Sequence, residues 1–228
     1  MKILTISDEE CAALWDHYVP GRLKDYDLIL SCGDLKPQYL SFLVTMARCP
    51  LLYVHGNHDG GYEHTPPEGC DCIDGHLVTY NGVRILGLGG CRKYQPGPHQ
   101  YTEAEMRRRI RRLRWQLRRA GGVDIVVTHA PPEGLGDAED PAHWGFASLR
   151  ELLDQYQPRY LVHGHVHLNY GHNIPRELTY NATKIINASG RYVLDITDAE
   201  VPPRKLGQVI YKTRQKPERL LPDIISSR

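Results

Sequence analysis

The chain has 228 residues, of which 41% are hydrophobic, and its formal net charge at pH 7 is +1. A chain of this length can bury a large core, and its composition argues against intrinsic disorder and against a general attraction to nucleic acid. It contains no apolar run of membrane-spanning length, so we expect no membrane partner.

Three apolar strands are predicted in the first third of the chain, each followed by polar side chains that can bind metal or transfer protons. The predicted strands and the residues after them are 1–7 with Asp8, 27–32 with Gly33-Asp34, and 51–54 with Gly56-Asn57-His58-Asp59. A glycine at a strand end lets the backbone turn sharply or approach a ligand closely. Side chains beside it then project from a rigid scaffold, as a preorganised site requires.

A β-hairpin is predicted next, because the apolar runs 76–80 and 83–88 flank the strong turn signal Asn81-Gly82. A loop at 91–101 follows the hairpin. It carries two basic residues that are candidate contacts for a phosphate charge or a second ester arm, Arg92 and Lys93.

An arginine-rich helix is predicted from Thr102, which can form a capping box with Glu105, to Gly121-Gly122. Four apolar residues recur on one face: Met106, Ile110, Leu113 and Leu117. The other faces carry eight arginines. A solvated outer face is favoured for them because the whole chain is nearly neutral, and a nucleic-acid contact surface is the alternative.

Two further apolar strands, 123–128 and 160–162, end at histidines. The first leads to His129, and the second leads through His163 to Gly164-His165-Val166-His167. His163 is interpreted either as a residue behind the metal ligands or as a buried strand histidine. A polar loop at 131–145 and a helix at 147–155 lie between the two strands. The loop contributes one more candidate substrate contact, His143.

The runs 184–188 and 191–196 are predicted to form a closing strand pair around Ser189-Gly190. We expect one domain at 1–197, followed by a basic tail at 198–228. The six cysteines are scattered, and we expect no secretion signal because the sequence at residues 1–7 is interpreted as a strand. We therefore expect reduced thiols in a cytoplasmic protein.

Strand ends thus supply oxygen and imidazole groups in five places. This mixture suits Mn, Fe, Zn or Ni better than it suits a structural thiolate zinc site. The alternative is that each residue merely caps a helix or a turn, as Asp and Asn often do. Five such strand ends in order favour a metal site.

The ordered motifs resemble those of the calcineurin-like metallophosphoesterases. The pattern of that family is Asp-x-His, Gly-Asp, Gly-Asn-His-Asp/Glu, an isolated His, and Gly-His-x-His. The resemblance covers roughly residues 1–197 and departs at one position, because Glu10 stands where the family has a metal-binding histidine.

The resemblance implies an α/β fold of two packed β-sheets flanked by helices, an α/β/β/α sandwich. It also implies two divalent metal ions, with manganese favoured and Fe, Zn, Ni or Mg as alternatives. The first ion would be held by Asp8, Glu10, Asp34 and His167. The second would be held by Asp34, Asn57, His129 and His165.

The implied reaction is hydrolysis of a small phosphoester by a water shared between the two ions, and a diester is favoured over a monoester. His58 would stabilise charge or protonate the leaving oxygen, with Asp59 orienting its ring. A nuclease and a degenerate metal-binding scaffold are the alternatives. Glu10 favours the scaffold, whereas the intact sequence from Asn57 to Asp59 argues against it. The oligomeric state stays open.

Overall fold

The computed structural model describes residues 1–169 and 174–197. The predicted basic tail at 198–228 therefore lies outside the described residues. The helices are α1 (Pro37–Ala47), α2 (Glu103–Ala120) and α3 (Ala147–Tyr156). The strands are β1 (Lys2–Ser7), β2 (Leu28–Ser31), β3 (Leu51–Tyr53), β4 (Asp71–Cys72), β5 (Leu77–Tyr80), β6 (Val83–Leu88), β7 (Cys91–Arg92), β8 (Gln100–Tyr101), β9 (Ile125–Thr128), β10 (Tyr160–His163), β11 (Glu177–Tyr180), β12 (Thr183–Asn187) and β13 (Gly190–Asp195).

Two sheets pack face to face. The first has the strand order β13-β1-β2-β3-β4, and the second has the order β11-β12-β10-β9-β6-β5. Apolar side chains from both sheets form the buried core between them, among them Leu30 and Val54 from the first and Val127 and Val162 from the second. α1 covers the outer face of the first sheet, and α2 and α3 cover the second. The predicted α/β/β/α sandwich is therefore confirmed.

The central strands are parallel and carry continuous apolar runs, because both of their faces are covered. Polar side chains therefore gather where these strands end. Three of them follow a strand with a left-handed backbone: Asp8 has φ 63°, Asp34 has φ 57° and His165 has φ 68°. Such backbone is uncommon outside glycine and clusters at functional sites.

The predicted hairpin and helix boundaries are confirmed. Asn81 and Gly82 both have positive φ, as the two-residue turn between β5 and β6 requires. The Thr102 hydroxyl accepts a hydrogen bond from the Glu105 N–H, and the Glu105 carboxylate accepts one from the Thr102 N–H. Two of the predicted small hydrophobes, Cys32 and Cys91, are fully buried in the core.

The arginines of α2 do not all lie on a solvated face. Arg109 is turned inward, where it donates hydrogen bonds to the Gly89 carbonyl oxygen at 2.7 Å and to the Asp74 carboxylate. Its guanidinium lies 4.2 Å from the centre of the Tyr101 ring. Arg109 therefore joins α2 to the β6 side of the second sheet.

The predicted pairing of the last two strands is wrong. β12 lies beside β10 in the second sheet, whereas β13 pairs with β1 in the first. The chain crosses between the sheets at Ser189, which forms a bridge with Ser7. Ile186 and Leu194 enter the same inter-sheet core from opposite sides, so two adjacent apolar runs can mimic a hairpin without pairing.

Among the described helices, none is both long and apolar enough to cross a membrane.

Candidate metal centre

Candidate ligands from both sheets meet at the carboxyl ends of the central strands. Asp34 follows β2 in the first sheet, and His129 and His165 follow β9 and β10 in the second. One ligand atom from each of these three residues lies within 4.8 Å of the other two. Asn57, which follows β3, adds its amide oxygen 3.1 Å from His129 Nε2. The structure therefore brings together all four residues predicted for the second metal ion.

Two glycines allow this convergence. A Cβ at Gly56 would overlap the Asp34 carboxylate. A Cβ at Gly164 would overlap Ser7 Oγ and lie 2.5 Å from Asp8 Oδ2. The loops after β3 and β10 can approach the carboxylates after β1 and β2 because these positions have no side chain.

The contacts of His129 fix which of its nitrogens faces the site. Its Nδ1 lies 2.8 Å from the Cys32 carbonyl oxygen, which can only accept, so Nδ1 carries a hydrogen. Its Nε2 lies 3.1 Å from Asn57 Oδ1 and 3.2 Å from Asp34 Oδ2. With a neutral ring, three lone-pair-bearing atoms would therefore face one another.

Lone pairs on His129 Nε2, Asn57 Oδ1 and Asp34 Oδ2 repel one another at these distances. A cation between them, either a proton on Nε2 or a metal ion, removes that repulsion. Burial lowers the pKa of His129, but the charge of the adjacent Asp34 and their hydrogen bond raise this pKa to about 9. Binding a metal ion here would displace that proton. The imidazole, amide and carboxylate donors fit a divalent transition metal.

His165 has the opposite electrostatic character. Burial, reinforced by the nearby His129, lowers the pKa of His165 to about 3, so its ring is neutral at pH 7. Its Nε2 lies 2.7 Å from the Ala142 carbonyl oxygen and therefore carries the hydrogen. Nδ1 is then the ring nitrogen whose lone pair could bind a metal ion. The backbone N–H of His165 donates to both oxygens of Asp8, at 3.0 and 3.1 Å, which joins the loops after β1 and β10.

The residues predicted for the first metal ion are arranged less compactly. His167 Nδ1 lies 3.0 Å from Glu9 Oε1, the kind of carboxylate contact that orients a metal-binding histidine. The Glu10 carboxylate instead lies 3.0 Å from Lys36 Nζ at the start of α1. The structure thus places Glu9, and not Glu10, against the histidine of this site, and a metal-binding role for Glu10 stays a prediction.

The two adjacent glutamates can be compared by the same chemical change. We expect Glu9→Gln to lower the affinity for the first metal ion by about 10- to 100-fold, because the carboxylate that would orient the metal-binding His167 is lost. Glu10→Gln removes an ion pair with a largely exposed lysine, so metal affinity should change by less than about threefold. Calorimetric titration with Mn²⁺ would measure both affinities. A larger loss for Glu10→Gln would restore Glu10 as the ligand.

His58 stands beside the site and outside the group of converging donors. Its side chain is 74% exposed, and its Nε2 lies 4.0 Å from Asp34 Oδ2. Its backbone N–H donates to Asp34 Oδ1 at 2.8 Å, which holds that carboxylate in place. The imidazole is therefore accessible to a phosphoester bound at the site.

Asp59 has a different position from the one predicted. We expected it to orient the His58 ring, but its buried Oδ2 accepts the backbone N–H groups of Gly56 at 2.7 Å and Asp34 at 2.9 Å. Asp59 therefore joins the loops after β2 and β3. The sequence signal was ambiguous because an aspartate directly after a histidine fits either role.

The three candidate substrate contacts have separate environments. Arg92 donates to Glu103 Oε2 at 3.2 Å and to the Gly145 carbonyl oxygen at 3.5 Å, so it ties the 91–101 loop to α2. Lys93 is exposed. His143 is next to the centre, because its ring centre lies 5.1 Å from that of His165. Of the three, His143 is the one whose ring lies beside that of a candidate ligand, His165.

Sequence reasoning missed two carboxylates near the centre. Glu9 contacts His167, and Asp140 lies 2.9 Å from His143 Nδ1. The spacing of three residues between Asp140 and His143 was the available signal for that pair. His163 is buried and is not one of the three converging residues, and burial lowers its pKa to about 4, so it is neutral at pH 7.

Comparison with known proteins gives a consistent result. A family model described as calcineurin-like phosphoesterase matches residues 7–169. A UPF0046 protein of Caenorhabditis elegans is 26% identical, and the match covers 83% of this chain and 69% of that protein. A lariat debranching enzyme of Entamoeba histolytica is 23% identical over 52% of this chain and 43% of that enzyme.

Solved structures with a similar fold are also found. A crystal structure of a Thermus thermophilus protein has a TM-score of 0.57 and 17% sequence identity. The match covers 82% of this chain and 88% of that one. At this identity the likeness concerns the fold alone.

Proposed function

Because the chain belongs to the calcineurin-like phosphoesterase family, its chemistry is phosphoester hydrolysis, and we propose that its substrate is a phosphodiester. The observation that carries the proposal is the meeting of Asp34, Asn57 and His129 beside the exposed imidazole of His58. The relative named as a lariat debranching enzyme supports a diester over a monoester.

The donors divide into two sets that share Asp34. We propose that Asp34, Asn57, His129 and His165 hold one divalent ion, and that Asp8, Asp34 and His167 hold the other, with manganese favoured. When bound, two such ions acidify a water and neutralise charge on the phosphoryl oxygens. A carboxylate between two dications offsets their mutual repulsion, which is the role proposed for Asp34.

The protein groups around the ions would do the remaining work. His58 would donate a proton to the leaving oxygen or a hydrogen bond to a phosphoryl oxygen. His143, held by Asp140, stands beside His165 and would contact an ester oxygen or its arm. Asp59 would act indirectly, by fixing the loops that present Asp34 and Asn57.

A nuclease would perform the same hydrolysis on a polymeric substrate and not on a small one. A scaffold protein would bind metal without catalysing hydrolysis. A scaffold has no use for an exposed imidazole beside its metal ligands, which argues against it. We further propose the cytoplasm as the compartment, because the buried thiols of Cys32 and Cys91 act as core hydrophobes.

Parallel assays test the proposal. Purified protein with its metal content determined would be given p-nitrophenyl phosphate, bis-p-nitrophenyl phosphate, cyclic nucleotides and single-stranded DNA. We expect a higher kcat/KM on the bis ester than on the monoester, and loss of both activities after chelation. Preference for the monoester would contradict the diesterase proposal, and salt-sensitive turnover of the DNA would select the nuclease.

A further inference from the structure

The outer surface of α2 is strongly and uniformly positive. The helix carries eight arginines, and its two glutamates, Glu103 and Glu105, lie in the first turn. Both are already engaged: Glu103 accepts the backbone N–H groups of Ala147 and Ser148, and Glu105 closes the capping box. The rest of the helix is therefore without an acidic residue, in a chain whose net charge is +1.

Most of these arginines have no ion pair among the described residues. Arg107 pairs with Glu151 at 2.6 Å, and the partly buried Arg109 pairs with Asp74. Within the described parts of the chain, the other six have no carboxylate oxygen within 4.0 Å: Arg108, Arg111, Arg112, Arg114, Arg118 and Arg119. Like charges three and four residues apart repel on a helix, whereas an ordinary solvated face mixes both signs. A bound polyanion would offset this repulsion.

A cavity of about 200 Å³ opens between α2 and α3 on this surface. Arg111 and Arg114 line it, together with Ser148. Glu151 also lines the cavity but is engaged by Arg107, so the positive charge of Arg111 and Arg114 is not balanced there.

An aromatic platform lies on the same helix. The Trp115 side chain is 69% exposed, and the Arg119 guanidinium lies 5.7 Å from its ring centre. Exposed aromatic rings between arginines are typical of surfaces that bind unpaired bases. Insertion into a membrane is disfavoured, because the apolar face of α2 is buried against the second sheet.

We propose that α2 is a docking surface for single-stranded nucleic acid. The cavity between α2 and α3 takes a backbone phosphate, with Arg111 and Arg114 supplying charge. Trp115 stacks on a base farther along the strand. This surface lies outside the metal centre, so binding here does not depend on the proposed hydrolysis.

Fluorescence anisotropy with a labelled single-stranded RNA or DNA, in EDTA to prevent hydrolysis, tests the proposal. The double variant Arg111→Gln/Arg114→Gln should bind about tenfold more weakly at about 50 mM salt. Its slope of log K against log salt should fall by about 0.7, because the variant loses one phosphate contact and each such contact accounts for about 0.7. The matched control Arg159→Gln/Arg191→Gln removes two exposed arginines elsewhere and should change the affinity by less than about twofold.

One single variant separates stacking from charge. Trp115→Ala should lower the affinity about fivefold or more without changing the salt slope. Absence of saturable binding would overturn the proposal. The proposal would also be overturned if the control variant lost as much affinity as Arg111→Gln/Arg114→Gln, or if duplex bound as tightly as the single strand. Competition by polyglutamate as effective as that by unlabelled single strand would overturn it too.

Discussion

Asp34→Asn is expected to lower hydrolysis by at least about 1,000-fold and to reduce metal content at both positions. Asp34 Oδ2 lies 3.2 Å from His129 Nε2, and Oδ1 accepts the His58 N–H. The substitution removes the negative charge shared by the two proposed ligand sets. It retains one oxygen of similar reach, so the backbone contact with His58 can persist while the two cations lose their common anion.

Elemental analysis and kcat/KM on bis-p-nitrophenyl phosphate, both measured with excess Mn²⁺, would check this expectation. Asp195→Asn is a suitable control, because that carboxylate is exposed on the edge strand β13. Thermal unfolding of both variants would show that the fold is retained. If Asp34→Asn kept two metal ions per chain and a tenth of the activity, the bridging role would be excluded.

His58→Ala should lower kcat by ~100-fold or more without loss of metal. The imidazole is 74% exposed and lies outside the converging donors, so we expect it to act on the substrate and not on the metal ions. Alanine keeps the backbone N–H that holds Asp34. The structural part of the residue is thus preserved while its side chain is removed.

The leaving group distinguishes proton donation from charge stabilisation. A nitrophenolate leaves without a proton, so a general acid is needed less there than on an alkyl diester. We expect a markedly smaller defect on the nitrophenyl substrate if His58 donates a proton, and equal defects if it stabilises charge. His64→Ala, which changes an exposed histidine six residues later, should be close to normal. Loss of metal in His58→Ala would contradict the assignment.

Sequence patterns predicted the parts of the fold that depend on local chemistry. The Asn81-Gly82 turn and the capping box of α2 need no distant partner, and both have the predicted form. Pairing between distant strands is different. β12 and β13 are adjacent in sequence but join different sheets, because each buries its apolar residues in the same inter-sheet core from its own side.

The candidate centre was predictable to the extent that strand ends converge. The family resemblance grouped Asp34, Asn57, His129 and His165 as one ligand set, and the parallel central strands of the two sheets bring these residues together at their carboxyl ends. Side-chain direction was not predictable from spacing. Glu9 and Glu10 are adjacent acids after a sharp turn, and the structure directs the first to His167 and the second to Lys36.

The division of the candidate ligands between two sheets has a mechanical consequence. Asp34 and Asn57 belong to one layer of the sandwich, and His129 and His165 belong to the other. Shear of one layer past the other would pull these donors apart, whereas an ion held by both layers would resist such sliding as a cross-link does. Because linkage is reciprocal, any substitution that slides the layers changes ion affinity, and ion binding in turn fixes their alignment.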